Sequence, residues 1–151
     1  MSLEKIYDFI FVGSLYPERR KILEKLETKF KVKVFSNLFG EEMVKVYNQS
    51  KIVFNKSAAG ETNLCLFEAL SCGSFLISDR LAPEVGLEDL LVNKKHLILY
   101  DTENDLMGKV AYYLSHEQER ETIAEQGRNE VLNKHTYRHR ALQVLEKLKK
   151  I

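Results

Sequence analysis

Short apolar segments alternate with amphipathic segments along the chain, and this alternation limits the possible folds more than any other feature. Residues 6–12 are apolar and aromatic almost throughout and run into Gly13-Ser14, which is typical of a buried strand that enters a turn. Further short apolar runs are predicted to be strands, at residues 32–35, 52–54, 75–77 and 97–100. Because helical segments separate these runs, the sequence predicts a Rossmann-like α/β fold, an open parallel sheet of about five strands with helices on both faces.

The segments between the predicted strands carry helix signals. Pro17 suits a first helical turn, and after it apolar residues recur at helical spacing at Ile22, Leu23, Leu26 and Phe30. Gly40 precedes a second amphipathic segment, and residues 64–73 are predicted to form a mostly apolar helix that ends in glycine. Residues 83–91 show no regular pattern, and the chain from residue 103 onward is predicted to be helical.

Composition excludes several classes of partner and suggests one domain. Lysine plus arginine number 23 against 22 for aspartate plus glutamate, so there is no overall field to attract nucleic acid. No apolar run approaches the ~20 residues of a transmembrane helix, and residues 1–3 begin no signal peptide, so we expect a cytoplasmic domain. Cys65 and Cys72 lack zinc-ligand spacing and are expected to be buried free thiols.

Ligand-binding loops are expected at one edge of the sheet. Open parallel sheets bind ligands beyond the carboxyl ends of their strands, where the strand order reverses. The corresponding loops are residues 13–20, 36–40, 55–63 and 78–86. The first loop lacks G-x-G-x-x-G and no P-loop motif occurs, so a classical dinucleotide site and a P-loop site are not supported. A phosphate-receiver domain would need a lysine after the fifth strand, where this chain has Tyr100-Asp101.

Several sequence segments together indicate a family. These are VGSLYPERR at 12–20, KIVFNKSAAGETNLCLFEALSCGSFLISD at 51–79, ILYDTENDL at 98–106 and HTYRHR at 135–140. The second segment contains the contiguous pattern FEALxCG. Together the segments resemble group 1 glycosyltransferases, most closely those of the spore-maturation-protein type. The resemblance implies that residues 1–151 form the C-terminal, nucleotide-sugar-binding half of a GT-B fold, without the N-terminal acceptor lobe.

The resemblance assigns the donor ribose to Glu68, because the family uses the glutamate of this helix to accept hydrogen bonds from both ribose hydroxyls. A carboxylate is well suited to such a bidentate contact. The alternative is that Glu68 is a solvated helix residue. Asn63 and Leu64 lie at the start of the same helix, where backbone N–H groups and the helix dipole can hold a diphosphate. Thr62 either adds a hydroxyl to this site or caps the helix.

The loop after the first predicted strand is expected to bind phosphate. Arg19 falls where related enzymes place a basic residue in a G-R-x-x-x-x-K-type loop, which also contains Gly13 and Ser14. A guanidinium can make bidentate contacts to phosphate, so we expect Arg19 to bind the donor and assist catalysis. Arg20 is the neighbouring alternative, and a solvated helix start is the alternative to both.

Glu61 is the second catalytic candidate. In the family a further glutamate precedes the helix glutamate by eight positions, and here that position is Gly60, with Glu61 beside it. Either Glu61 approaches the transferred sugar, or the usual contact of the family's first glutamate is absent from this chain. By the same resemblance, Asn37, Leu38 and Val44 are expected to line the nucleobase, although core packing would explain Val44 equally well.

Neither a metal ion nor another cofactor is expected. His135 and His139 stand four residues apart in a predicted helix, but no H-E-x-x-H glutamate accompanies them. His96 and His116 lie beside charged residues and are expected to be solvated. The resemblance likewise implies a metal-independent enzyme, since GT-B glycosyltransferases do not depend on a bound metal ion.

The expected function is to hold a nucleoside diphosphate sugar, such as a UDP sugar, for hexosyl transfer to a polysaccharide, lipid or protein glycan. Cell-envelope polysaccharide synthesis, at the inner membrane face through the full-length protein, is the expected setting. The domain alone is expected to bind its donor without turnover, because the acceptor lobe is missing. A stand-alone regulatory or scaffold domain that kept the fold and lost the ligand is the alternative.

Overall fold

One parallel sheet in the order β2-β1-β3-β4-β5 organises the protein. The computed structural model describes residues 3–151. Its strands are β1 (Tyr7–Val12), β2 (Val32–Phe35), β3 (Ser50–Asn55), β4 (Leu76–Asp79) and β5 (Ile98–Tyr100). All adjacent pairs are parallel, with Phe9 of β1 aligned with Val32 on one side and Ile52 on the other. The predicted open parallel sheet is therefore confirmed.

Helices cover both faces of the sheet. They are α1 (Pro17–Glu27), α2 (Gly40–Asn48), α3 (Leu64–Ser71), α4 (Leu87–Leu90), α5 (Glu103–Ser115), α6 (Glu117–Lys134) and α7 (Tyr137–Leu148). Apolar residues of α1 and α5 pack on the face that carries Phe9, Phe11 and Phe54. Those of α2, α3 and α4 pack on the opposite face, against Ile10 and Val53. The alternation of side chains along each strand thus supplies two apolar layers.

The unpatterned stretch 83–91 contains a 3₁₀ turn (Pro83–Val85) followed by α4. β4 begins one residue later than predicted and extends to Asp79, so this carboxylate belongs to the end of a strand. Burial explains the extension, because all residues of β4 are shielded from solvent.

Helix α6 lies directly against the segment that precedes β5. A Cβ atom added to Gly127 would lie 2.3 Å from the backbone oxygen of His96. Only a residue without a side chain permits this approach, so Gly127 sets the distance between α6 and the sheet. His96 itself is buried, and its Nδ1 accepts a hydrogen bond from Val92 N–H at 3.1 Å. The expectation that His96 is solvated was wrong because α6 covers it, whereas His116 is exposed as expected.

The remaining differences concern the thiols and the last helix. Both cysteines are free, but Cys65 is exposed and Cys72 is half-buried, so the expectation of buried thiols was wrong. Cys65 sits in the first turn of α3, beside the buried Leu66, and its own side chain is exposed. Helix α7 begins with a capping box between Thr136 and His139 and contributes no buried residue to either core layer.

Candidate functional site

The loops after β1 and β3 meet at the point where the strand order reverses. From β1 the chain moves outward to β2 and then returns to β3 on the other side of β1. The loops that leave β1 and β3 therefore diverge to opposite faces and leave a crevice between them, the usual ligand position in this topology. Most of the residues predicted to bind a donor lie in these two loops or in helices α1, α2 and α3.

Arg19 joins the two loops. Its Nε and Nη2 atoms both donate to the backbone oxygen of Lys56, at 2.9 and 2.5 Å, and Nη1 donates to the oxygen of Ser14 at 3.1 Å. The guanidinium carbon also lies 5.4 Å from the ring centre of Phe11 and 5.1 Å from that of Tyr16. These contacts fix a positive charge at the crevice while leaving some of its N–H donors for a ligand.

The neighbours of Arg19 have different positions. Gly13 has φ of 149° and donates its N–H to the oxygen of Phe35, so it closes the turn after β1 in a conformation that favours glycine. Ser14 is exposed and contributes its carbonyl to Arg19. Arg20 is exposed on the outer side of α1. Of the two arginines, Arg19 is the one directed towards the β3 loop.

A buried polar network at the ends of β3 and β4 holds the loop that Arg19 contacts. The Asp79 carboxylate accepts hydrogen bonds from Ser57 N–H at 3.0 Å, Ser57 Oγ at 2.5 Å and Lys56 Nζ at 3.1 Å. Ser78 Oγ donates to the same carboxylate at 3.3 Å and accepts from Asn55 Nδ2 at 2.9 Å. Sequence reasoning missed this network. The available signal was an acidic residue, Asp79, two positions after the apolar run 75–77.

Glu61 turns back onto its own loop. Its carboxylate accepts hydrogen bonds from the N–H groups of Ala59 at 2.7 Å and Ala58 at 3.2 Å. These contacts, that of Ala59 first, lower the pKa of Glu61, and the nearby charge of Arg19 adds to the effect. The side chain thus stays ionised, although it forms no ion pair with Arg19 within 4 Å.

Asn63, rather than Thr62, caps α3. Its side-chain oxygen accepts from Leu66 N–H at 3.2 Å and satisfies one of the free donors of the first turn. The alternative in which Thr62 caps the helix was therefore wrong. The Thr62 hydroxyl is buried and makes no hydrogen bond within residues 3–151.

Glu68 lines a cavity of about 410 Å³ between α2, α3 and the start of α7. Leu64, Met43 and Val44 contribute apolar walls, and the cavity extends along α3 as far as Cys72. The Glu68 carboxylate is half-buried and forms no hydrogen bond or ion pair with any residue in the range 3–151. A carboxylate that is partly removed from water and lacks a partner is a suitable acceptor for hydroxyl donors of a ligand.

The first turn of α7 and the two residues before it supply the opposite wall of this cavity. Tyr137 and Arg140 line it together with Glu68. Arg140 Nη2 donates to Nδ1 of His135 at 2.9 Å, and His135 Nε2 lies 3.2 Å from the oxygen of Leu90. Sequence reasoning used HTYRHR only as a mark of the family and missed its position beside Glu68. Helical spacing alone does not reveal which distant helix a motif contacts.

Of the three residues expected beside the nucleobase, Val44 lines the Glu68 cavity and Asn37 and Leu38 do not. Val44 is 41% exposed and lines the Glu68 cavity, so it is not a core residue. Asn37 is exposed with φ of 54°, and Leu38 packs against the apolar layer under α2 and α3. Neither lines that cavity.

His135 and His139 have separate partners. His139 Nδ1 lies 2.7 Å from Thr136 Oγ1 as part of the capping box, and His135 is engaged with Leu90 and Arg140. Across residues 3–151, no group of three or more histidine, cysteine or acidic side chains is arranged to hold a metal ion. In the same range, no helix has both the length and the apolar character needed to cross a bilayer.

Taken together, the sheet order and the helices on both of its faces define a Rossmann-like α/β domain. Residues 2–146 match the glycosyl transferase-like family, and the chain belongs to that family. The resemblance inferred from the sequence motifs is thereby confirmed. Among curated proteins, no sequence relative matches the chain.

Solved structures of glycosyltransferases share the fold at low sequence identity. Sucrose-phosphate synthase from Thermosynechococcus elongatus is 16% identical with a TM-score of 0.70, over 98% of this chain and 46% of that one. Anabaena HepE, solved with UDP and glucose, is 18% identical with a TM-score of 0.72, over 94% and 40%. The C-terminal domain of LpcC from Francisella tularensis is 12% identical with a TM-score of 0.63, over 89% of both chains.

These matches confirm the expected fold, one half of a GT-B glycosyltransferase. The chain spans less than half of the first two structures, at 46% and 40% of their lengths, and nearly all of the isolated C-terminal domain. It is a glycosyltransferase-like domain.

Proposed function

We propose that this chain binds a nucleoside diphosphate sugar in the crevice between the β1 and β3 loops and acts as the donor-binding domain of a hexosyltransferase. The observation that carries the proposal is the unpaired Glu68 carboxylate in a largely apolar cavity along α3. Anabaena HepE, which has the same fold, was solved with UDP and glucose. The ribose hydroxyls of the donor would donate hydrogen bonds to the Glu68 carboxylate, which has no partner of its own.

The diphosphate would lie between α3 and Arg19. The first N–H groups of α3 point toward the loops, and the helix dipole favours an anion there. Arg19 supplies a fixed positive charge on the other side of the crevice. During transfer, negative charge grows on the departing diphosphate, and preoriented N–H groups and a guanidinium stabilise this charge without a metal ion.

Glu61 would lie nearest to the transferred sugar. Its carboxylate is ionised and feels the charge of Arg19, and its oxygens are engaged with the N–H groups of Ala58 and Ala59. A sugar hydroxyl could share these oxygens, because each carboxylate oxygen has a second lone pair. This arrangement makes Glu61 a residue that orients the sugar.

The full reaction would require an acceptor lobe in addition to this domain. We propose that residues 1–151 bind the donor without turnover and that a polysaccharide, lipid or protein glycan is the acceptor in the complete enzyme. We propose a cytoplasmic location, with the complete enzyme at the inner membrane face. We also propose that the enzyme needs neither a metal ion nor another cofactor.

Isothermal titration calorimetry with UDP tests the proposal on the chain as it stands. Replacing Glu68 by glutamine removes the charge and keeps the shape, so UDP affinity is expected to fall by roughly 1.5–3 kcal/mol, the usual cost of losing a hydrogen bond to a charged group. Glu24→Gln on the exposed side of α1 is the matched control and should leave affinity unchanged. Equal affinity of wild type and Glu68→Gln would refute the ribose role. Absence of binding of UDP, GDP and ADP would instead support a domain that retains the fold without the ligand.

A further inference from the structure

We propose that the peptide group between Lys56 and Ser57 couples the buried Asp79 carboxylate to Arg19, which makes Asp79 a positioning residue for the donor diphosphate. Asp79 does not touch the ligand. It fixes the peptide group whose carbonyl holds the guanidinium, and the guanidinium binds the phosphates. This inference rests on the proposed function, because it assumes that Arg19 contacts the diphosphate.

A single peptide group meets both charged side chains. Its N–H, which belongs to Ser57, donates to Asp79 Oδ1 at 3.0 Å. Its C=O, which belongs to Lys56, accepts from Arg19 Nε at 2.9 Å and from Nη2 at 2.5 Å. A trans peptide group is planar, and its N–H and C=O point in opposite directions. The group therefore cannot turn at the Asp79 end without also turning the carbonyl that Arg19 uses.

The charges at the two ends of this peptide group reinforce one another. The carboxylate of Asp79 at the N–H and the guanidinium of Arg19 at the C=O polarise the group in the same direction. Hydrogen bonds that form such a chain strengthen one another, and those with an ionised partner are stronger than those between neutral groups. The bridge thus consists of charge-assisted hydrogen bonds on both sides of one rigid unit.

The Asp79 carboxylate is itself held on several sides. Its side chain is 9% exposed, and it accepts from Ser57 Oγ at 2.5 Å, from Ser78 Oγ at 3.3 Å and from Lys56 Nζ at 3.1 Å. Because the ammonium of Lys56 is engaged there, this lysine serves the crevice through its backbone oxygen. The carboxylate is therefore a fixed support for the peptide group.

Arg19 keeps two donors for a ligand. The contacts to Lys56 and Ser14 use one N–H on each of its three nitrogens. Each terminal nitrogen carries a second N–H, and these two remaining donors suit a phosphate. If the Lys56 carbonyl turned away, only the oxygen of Ser14 and the rings of Phe11 and Tyr16 would hold the guanidinium. The two donors would then lose their fixed direction.

A double-mutant cycle, measured by calorimetric titration of UDP and uridine into the full chain, tests the inference. Asp79→Asn should weaken UDP by about tenfold and leave uridine, which has no phosphate, within about twofold. In an Arg19→Met background the same change should leave UDP within about twofold, because Asp79 acts only through Arg19. Asp8→Asn, which removes the carboxylate of another ion pair near the start of β1, is the matched control and should change neither ligand.

Hydrogen exchange of the Arg19 Nε–H, followed by NMR, examines the bridge without any nucleotide. The backbone amide of Ile10, in the core, reports global unfolding, so exchange is expressed relative to it. Asp79→Asn should accelerate this relative exchange by about tenfold, because the Lys56 oxygen is no longer fixed. If that variant does not fold, Ser57→Ala keeps the ion pair, loses only the Oγ contact to Asp79 and should accelerate it by about threefold.

The outcomes separate this inference from the function on which it rests. If Asp79→Asn weakens UDP equally with and without Arg19, or weakens uridine as much as UDP, Asp79 has only a structural role and the inference is overturned while the donor function stands. An unchanged relative exchange of Arg19 Nε–H would overturn the bridge as well. If the wild type binds no nucleotide, the diphosphate role fails together with the donor function, and the exchange measurement alone decides whether Asp79 fixes Arg19.

Discussion

Removal of the Asp79 charge should destabilise the domain far more than removal of a surface charge. The Asp79 side chain is 9% exposed and accepts hydrogen bonds from Ser57 and Ser78 and from Lys56, which is 21% exposed. In Asp79→Asn the ammonium of Lys56 loses its counter-charge, and the amide group turns donors toward the Ser57 hydroxyl. Breaking a buried pair costs about 3–5 kcal/mol, and partial access of Lys56 to water reduces this to roughly 2–4 kcal/mol.

Urea unfolding followed by far-UV circular dichroism measures the effect, and the chain contains no tryptophan to report instead. Asp8→Asn is the matched control, because Asp8 pairs with Lys51 at 2.7 Å with about one-third of each side chain exposed. That variant should lose less than about 1 kcal/mol. If Asp79→Asn loses no more than Asp8→Asn at an unchanged m-value, the network does not stabilise the β3 loop and the reasoning is wrong.

Two further predictions concern α6 and the histidine beneath it. Gly127→Ala should destabilise the domain by at least ~2 kcal/mol, because the new Cβ would lie 2.3 Å from the backbone oxygen of His96. Gly108→Ala on α5 should instead stabilise the domain by about 0.5–1 kcal/mol, because no atom lies within 4 Å of the new Cβ. Thermal unfolding of both variants decides between this account and simple helix propensity, which predicts stabilisation in both. Burial lowers the pKa of His96 below its unfolded value of about 6.5, so the unfolded chain binds more protons and stability should fall as pH decreases below about 6.5. His96→Gln should reduce that loss between pH 7.5 and 5, and an unchanged pH profile would contradict the assignment.

The fold could be predicted because its determinants are local. Apolar runs such as residues 6–12 and helix signals such as Pro17 depend on neighbouring residues, and their alternation permits few topologies. The boundaries of β4 and the short helix α4 were not predicted, because they depend on how the chain packs over the sheet. His96 was misplaced for the same reason, since α6 covers it from a distant part of the sequence.

The candidate site could be predicted only in part. The family motif directed attention to Glu68, and the topology rule directed it to the loops that contain Arg19 and Glu61. The contact between Lys56 and Asp79, and the approach of Arg140 to the Glu68 cavity, join residues that are far apart in sequence. No spacing rule within one segment encodes such pairs.

The two outermost strands of the sheet also bear on how the protein behaves at high concentration. An edge strand presents unpaired N–H and C=O groups to other molecules, and long, flat edge strands promote association. Here β2 has only 4 residues, with the charged Lys33 exposed among them, and β5 has only 3, all shielded from solvent. Both edge strands therefore resist the addition of a further strand. We expect the domain to stay monodisperse at the high concentrations that titrations of weak ligands require.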